Sequence, residues 1–230
     1  VDEIVQWAQK SESDKRLGML QDLPGGGKTV VMRDVLISLE ENGYPVLAIK
    51  ADWLSGIQTR SDLADRLGLP APVEECARIM ATEGPFVVLF DQLDALSLAL
   101  SRDQATLDVM LSTMARLRSV ENVKIIASCR IFELRNDPRL SAIKMDQRFK
   151  LQPLDKPQVH QVLDKIGIDP ARLLPEHCEL IAIPLHLNIY ARIIGEKTPS
   201  GTPESFQTLQ DLYEVLWQRR IMAVPPEKPS

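Results

Sequence analysis

The run Arg16-Leu-Gly-Met-Leu-Gln-Asp22-Leu-Pro-Gly25-Gly26-Gly27-Lys28-Thr29 passes from an apolar strand through three glycines into a helix, and it constrains this chain more than any other segment. Consecutive glycines leave a row of backbone N–H groups that no side chain blocks, and such a row can wrap a phosphate. A lysine at the end of the row reaches the β and γ phosphates of a nucleotide, and the hydroxyl after it reaches a Mg²⁺. A helix opening at Thr29 adds the positive end of its dipole. The segment therefore predicts a phosphate loop in which Pro24, Gly25, Gly26, Gly27, Lys28, Thr29 and Val30 surround ATP or ADP, with Thr29 on the metal. The full pattern carries glycine six residues before the lysine, where this chain has Asp22. A carboxylate there repels phosphates unless its side chain turns away and caps the turn, and the sequence leaves both arrangements open.

Such a loop needs a sheet behind it, and the following segments supply one. Val31, Met32, Val35, Leu36 and Leu39 recur at helical spacing, with Asn42-Gly43 as a stop, which predicts a helix of about three and a half turns. Strands are expected at Val46 to Lys50, at Phe86 to Phe90 and at Val123 to Cys129, with helices near Ser61 to Leu67, near Pro72 to Ala81 and along the stripe Leu107, Met110, Leu111, Met114, Leu117. Strands that are nearly continuous in apolar residues and alternate with helices imply a parallel sheet covered on both faces. After Phe149-Lys-Leu-Gln the pattern turns wholly helical. Asp155-Lys-Pro157 starts a helix that Gly167 stops, Pro170, Pro175 and Pro184 punctuate the next ones, and Phe206, Leu209, Leu212 and Leu216 stripe the last. The expected organisation is an α/β nucleotide domain over 1–153, a small all-helical domain over 154–222 with the boundary near Leu154, and a linker-like tail over 223–230.

Two further strands end in charged residues. Phe86 to Phe90 leads into Asp91-Gln92-Leu93-Asp94, and a carboxylate at the carboxyl end of a buried strand beside a phosphate loop is where Mg²⁺ needs a second protein ligand. Asp91 is the candidate for that role. Asp94 is near enough to orient or deprotonate an attacking water, or else it caps the next segment. Val123 to Cys129 ends in Arg130, a cation delivered to the same sheet edge, where it could neutralise a γ phosphate.

Composition narrows the setting. At 230 residues, 44% hydrophobic and 26% charged, the chain is globular, and a net charge of -5 argues against a nucleic-acid surface that works by bulk charge. Arg219-Arg220 reads as a solvated helix face. Cys76, Cys129 and Cys178 follow no metal or disulfide spacing, which fits a reducing cytosol. No apolar run is long enough to span a bilayer, and the start has neither a signal peptide nor an initiator methionine, so a piece of a longer cytoplasmic protein is expected.

Taken in order, PGGGKT, FVVLFDQLDAL, IIASCR, FKLQPLD, AIPLHLNIY and TLQDLYEVLWQRR resemble the motifs of the STAND class of P-loop NTPases, which includes the NACHT proteins. The resemblance runs from about Leu17 to Arg220. It implies a five-stranded parallel sheet in which the strand ending in Arg130 lies between the phosphate-loop strand and the acidic strand. It also implies a helical domain closing over the adenine, with Pro184 lining the base pocket. Ala95 stands where many NACHT sequences carry an acid. The activity implied is a slow Mg²⁺-dependent ATPase serving as the regulatory switch of a larger signalling or defence protein, with effector and sensor domains elsewhere in the polypeptide and nucleotide-dependent self-association. Two alternatives stay open. One is an AAA+ motor, which would need a second arginine such as Arg172 or Arg192 at the γ phosphate; the other is a catalytically weak, nucleotide-stabilised scaffold.

Overall fold

The structure, a computed structural model, describes residues 1–10, 14–97, 104–170, 173, 175–195 and 208–218. The chain forms two compact units, Val1–Pro24 with Lys28–Leu151, and Gly25–Gly27 with the chain from Gln152 onward.

Five strands build the first unit, β1 (Leu17–Asp22), β2 (Val46–Lys50), β3 (Phe86–Asp91), β4 (Val123–Arg130) and β5 (Gln147–Lys150). All neighbours pair in parallel, in the order β2-β3-β4-β1-β5, so β4 lies between the phosphate-loop strand and the acidic strand as expected. Successive side chains of a strand point to opposite faces, and both faces here are buried. Phe86, Val88 and Phe90 enter one core together with Val123, Ile125 and Ala127, whereas Val87, Leu89 and Ile126 enter the other. That is why β3 reads as an unbroken apolar run up to Phe90 and β4 as a largely apolar one, interrupted at Lys124 and Ser128.

Helices α1 (Asp2–Gln9) and α2 (Lys28–Glu41) cover one face through Ile4, Trp7, Met32, Val35 and Leu39. Helices α3 (Arg60–Leu67), α4 (Val73–Met80) and α5 (Gln104–Leu117) cover the other, and Met110 and Met114 are core residues there. Gly43 takes a φ of +78°, the left-handed turn that ends α2. Two short helices, α6 (Ile131–Asn136) and α7 (Pro138–Ser141), follow β4.

Gly18 makes the α1 face possible. The rings of Trp7 and Phe149 meet edge to face with centroids 5.7 Å apart. A Cβ at position 18 would come within 2.7 Å of the Phe149 ring and 3.1 Å of the Trp7 ring, so the pair closes over β1 only because that position has no side chain.

The second unit holds α8 (Lys156–Lys165), α9 (Pro175–Leu180), α10 (Pro184–Gly195) and α11 (Leu209–Trp217) around Val159, Leu163, Ile181, Leu187, Tyr190 and Leu212. Asp155 and Gln158 cap α8 reciprocally, and Gly167 beyond it has a φ of +76°. Phe206, Arg172, Arg219, Arg220 and the tail from 223 lie outside the described residues. Among the described residues no helix is long and apolar enough to cross a membrane.

Candidate functional site

The turn after β1 owes its shape to glycine. Gly25 and Gly27 take φ values of +80° and +90°, a region that side chains rarely enter. Helix α2 then opens on Lys28, one residue earlier than the periodicity predicts. Lys28 is buried, and its Nζ donates to the backbone carbonyls of Asp22 at 3.2 Å and Leu23 at 3.0 Å. Burial pushes the ammonium below its ordinary 10.5, while Asp94 and Asp22 pull it back. Asp22 thus meets the ammonium through its main-chain oxygen. An ammonium held only by neutral carbonyls can exchange them for anionic oxygens, which bind it more strongly. Thr29 and Val30, next on α2, are exposed.

At the carboxyl end of the sheet, β3 ends on Asp91, buried and accepting a hydrogen bond from Ser128 Oγ on β4. The same hydroxyl accepts from the backbone N–H of Gln92 at 2.9 Å. Gln92 stands at φ 60°, ψ 45°, and its side-chain amide lies 2.9 Å from Thr29 Oγ1. Asp91 and Thr29 are therefore linked by hydrogen bonds through Ser128 and Gln92. Among the described residues no three His, Cys, Asp or Glu side chains gather into a metal cage. The donors fit Mg²⁺ in another way, because that ion commonly takes one or two protein oxygens and completes its shell with phosphates and water. Thr29 and Asp91 would hold it.

Asp94, buried in the 3₁₀ turn after β3, reaches across to β4. Arg130 Nε lies 2.9 Å from Oδ2, and the Arg130 backbone N–H donates to Oδ1 at 3.2 Å. Burial raises the Asp94 carboxyl above 3.8, with Arg130 and Lys28 opposing and Glu133 adding to the rise. Glu133 itself is buried on α6, and its Oε2 has no hydrogen-bond partner among the described residues. Cys129 is a buried thiol whose ionisation is pushed far up, chiefly by burial, so it stays neutral.

The sequence-predicted residues Lys28, Thr29, Asp91, Asp94 and Arg130 thus gather at the carboxyl ends of β1, β3 and β4. Pro184 is the first residue of α10 in the second unit, and Arg192 is exposed on the same helix. Ser128, Gln92 and Glu133 were not among the expected site residues. Ser128 lies within the IIASCR run and a polar residue in a buried strand was its only signal, whereas Glu133 belongs to a helix that the periodicity does not reveal.

No protein-family model matches the chain, and no curated protein matches it. Solved structures do. Domain III of the replication initiation protein DnaA of Thermotoga maritima aligns over 94% of this chain and 89% of its own, at 16% identity and a TM-score of 0.56. AMPPCP-bound DnaA from Aquifex aeolicus aligns over 85% of this chain and 60% of its own, at 16% identity and 0.51. C. elegans PCH-2 aligns over 94% of this chain and 66% of its own, at 16% identity and 0.50. The chain spans about two thirds or less of the last two. At such identities the likeness speaks to architecture alone, and what it establishes is a five-stranded parallel α/β fold with helices on the sheet.

Proposed function

We propose that this chain binds ATP with Mg²⁺, hydrolyses it slowly, and serves as the regulatory switch module of a larger protein of the STAND type. One observation carries the reading: a glycine turn hands Lys28 and Thr29 to the carboxyl end of a parallel sheet, where Asp91 and Asp94 arrive from the acidic strand β3 on the far side of β4. Lys28 would give up the carbonyls of Asp22 and Leu23 for phosphate oxygens. Thr29 and Asp91 would hold the metal, which would supply charge neutralisation at the phosphates. Asp94 accepts the proton of the attacking water, and Arg130 neutralises charge on the γ phosphate.

The Arg130–Asp94 pair supports a slow reaction. Both carboxylate oxygens of Asp94 are engaged by Arg130, Oδ2 by the side chain and Oδ1 by the backbone N–H, so Oδ2 becomes available as a base only after the guanidinium turns to the nucleotide. The same lock favours the second reading, a nucleotide-stabilised scaffold with no turnover.

Asp91→Asn is expected to lose Mg²⁺-dependent ATP affinity, and Asp94→Asn to keep affinity while losing hydrolysis, because one holds the metal and the other handles the water. Calorimetry and phosphate release measure the two. Equal losses of binding would remove that division of labour, and binding without phosphate release in the wild type would leave the scaffold. Mass analysis of the nucleotide retained on purification separates ATP from GTP.

A further inference from the structure

Gln92 occupies the left-handed backbone region, which is unfavourable for a residue that carries a side chain and of which glycine is free. Its φ of 60° is one of two positive values among the described non-glycine residues.

The amide orientation follows from its neighbours. The Asp52 carboxylate just beyond β2 can only accept hydrogen bonds, so the Gln92 nitrogen faces it, donating to Oδ2 at 2.9 Å and Oδ1 at 3.2 Å. The amide oxygen then faces Thr29 and accepts from its Oγ1 at 2.9 Å. A threonine hydroxyl that ligates a cation must turn a lone pair to the metal and send its hydrogen elsewhere. Gln92 Oε1 is where that hydrogen goes. The main chain of the same residue is pinned to Ser128 Oγ, the hydroxyl that also donates to Asp91. One residue therefore ties both metal-ligand candidates together, with its backbone leading to Asp91 and its side chain to Thr29. Asp52 is itself held, by Lys50 Nζ at 3.0 Å, so the far end of the bridge is anchored.

From this we infer that Gln92 is a positioning residue for the cation, aiming the Thr29 hydroxyl at the metal and locking it to Asp52. The inference rests on the reading of the loop as a Mg²⁺-nucleotide site. A mere brace between α2 and the end of β2 would act on the fold and not on the metal.

Gln92→Gly separates the two, because it removes the bridge while relieving the backbone. Binding of a non-hydrolysable ATP analogue is measured by calorimetry, first in EDTA and then across a MgCl₂ series, for the wild type, Gln92→Gly, Asp52→Ala and the double variant, with urea melts to show that each is folded. Expected are metal-free affinities within about twofold of wild type and a Mg²⁺ enhancement reduced by about five- to tenfold in Gln92→Gly, the scale of one lost hydrogen bond. Asp52→Ala should fall part of the way, and the double variant no further than Gln92→Gly, since both act through one bridge. An undiminished Mg²⁺ enhancement in Gln92→Gly, or an equal loss with and without Mg²⁺, overturns the proposal. A wild type that binds no analogue overturns the phosphate-loop reading itself and this proposal with it.

Discussion

Arg130 grips Asp94 twice, with its side-chain Nε 2.9 Å from Oδ2 and its own backbone N–H donating to Oδ1. The carboxylate is 5% exposed and the guanidinium 39%, so the pair is lopsided, an almost fully buried anion held by a half-solvated cation.

Removing the cation should therefore cost stability mainly through what it leaves behind. Arg130→Ala is expected to destabilise the first unit by about 1–3 kcal/mol, below the range for breaking a fully buried pair because the guanidinium is partly solvated. Adding Asp94→Asn to that variant should recover part of the loss, since a neutral amide tolerates burial better than an unpaired carboxylate. Urea denaturation of the two single variants and the double measures this, and strict additivity would show that the pair contributes nothing.

The buried ammonium makes stability depend on pH. In the ligand-free protein Lys28 releases its proton at lower pH than the ordinary 10.5, so between the two values the unfolded chain binds more protons than the folded one. Stability then rises with pH across that window and falls as pH drops through the folded-state value. The buried Cys129 thiol, pushed the other way, opposes this above its ordinary 9.0 in wild type and variant alike, so the rise is read as the difference between the wild type and Lys28→Met in melts taken from neutral to alkaline pH. An identical pH profile in both would mean that the ammonium is as well solvated folded as unfolded.

Gly18→Ala tests the packing behind the phosphate-loop strand. The added methyl meets the Phe149 ring at 2.7 Å and the Trp7 ring at 3.1 Å, so both rings must shift. A loss of about 1–3 kcal/mol is expected, the usual cost of overfilling a packed site. Trp7 fluorescence, isolated by replacing the other two tryptophans, should report the displaced ring. An unchanged midpoint and spectrum would show that the rings move aside freely.

What the sequence determined by itself is whatever repeats locally. The glycine turn, the helix after it, the apolar runs of β2, β3 and β4 and the capped start of α8 are legible because periodicity, turn chemistry and capping act within a few residues. The strand β5 is not, since of its four residues only Phe149 is buried and the rest read as a polar approach to the helical region. The short helices α6 and α7 are missed for want of length, and α1, though as long as α3 and α4, is missed as well. The sequence also names Lys28, Thr29, Asp91, Asp94 and Arg130 as site residues, since each sits at a readable strand or helix end. Their partnerships are another matter. Arg130 holding Asp94, Ser128 serving Asp91, and Gln92 spanning Thr29 and Asp52 join residues far apart in the chain. Those contacts follow from strand order and register, which place the end of β3 beside β4 and β2. Local pattern carries no record of which strand lies beside which, so only the folded sheet decides which charges are paired and which hydroxyl is aimed.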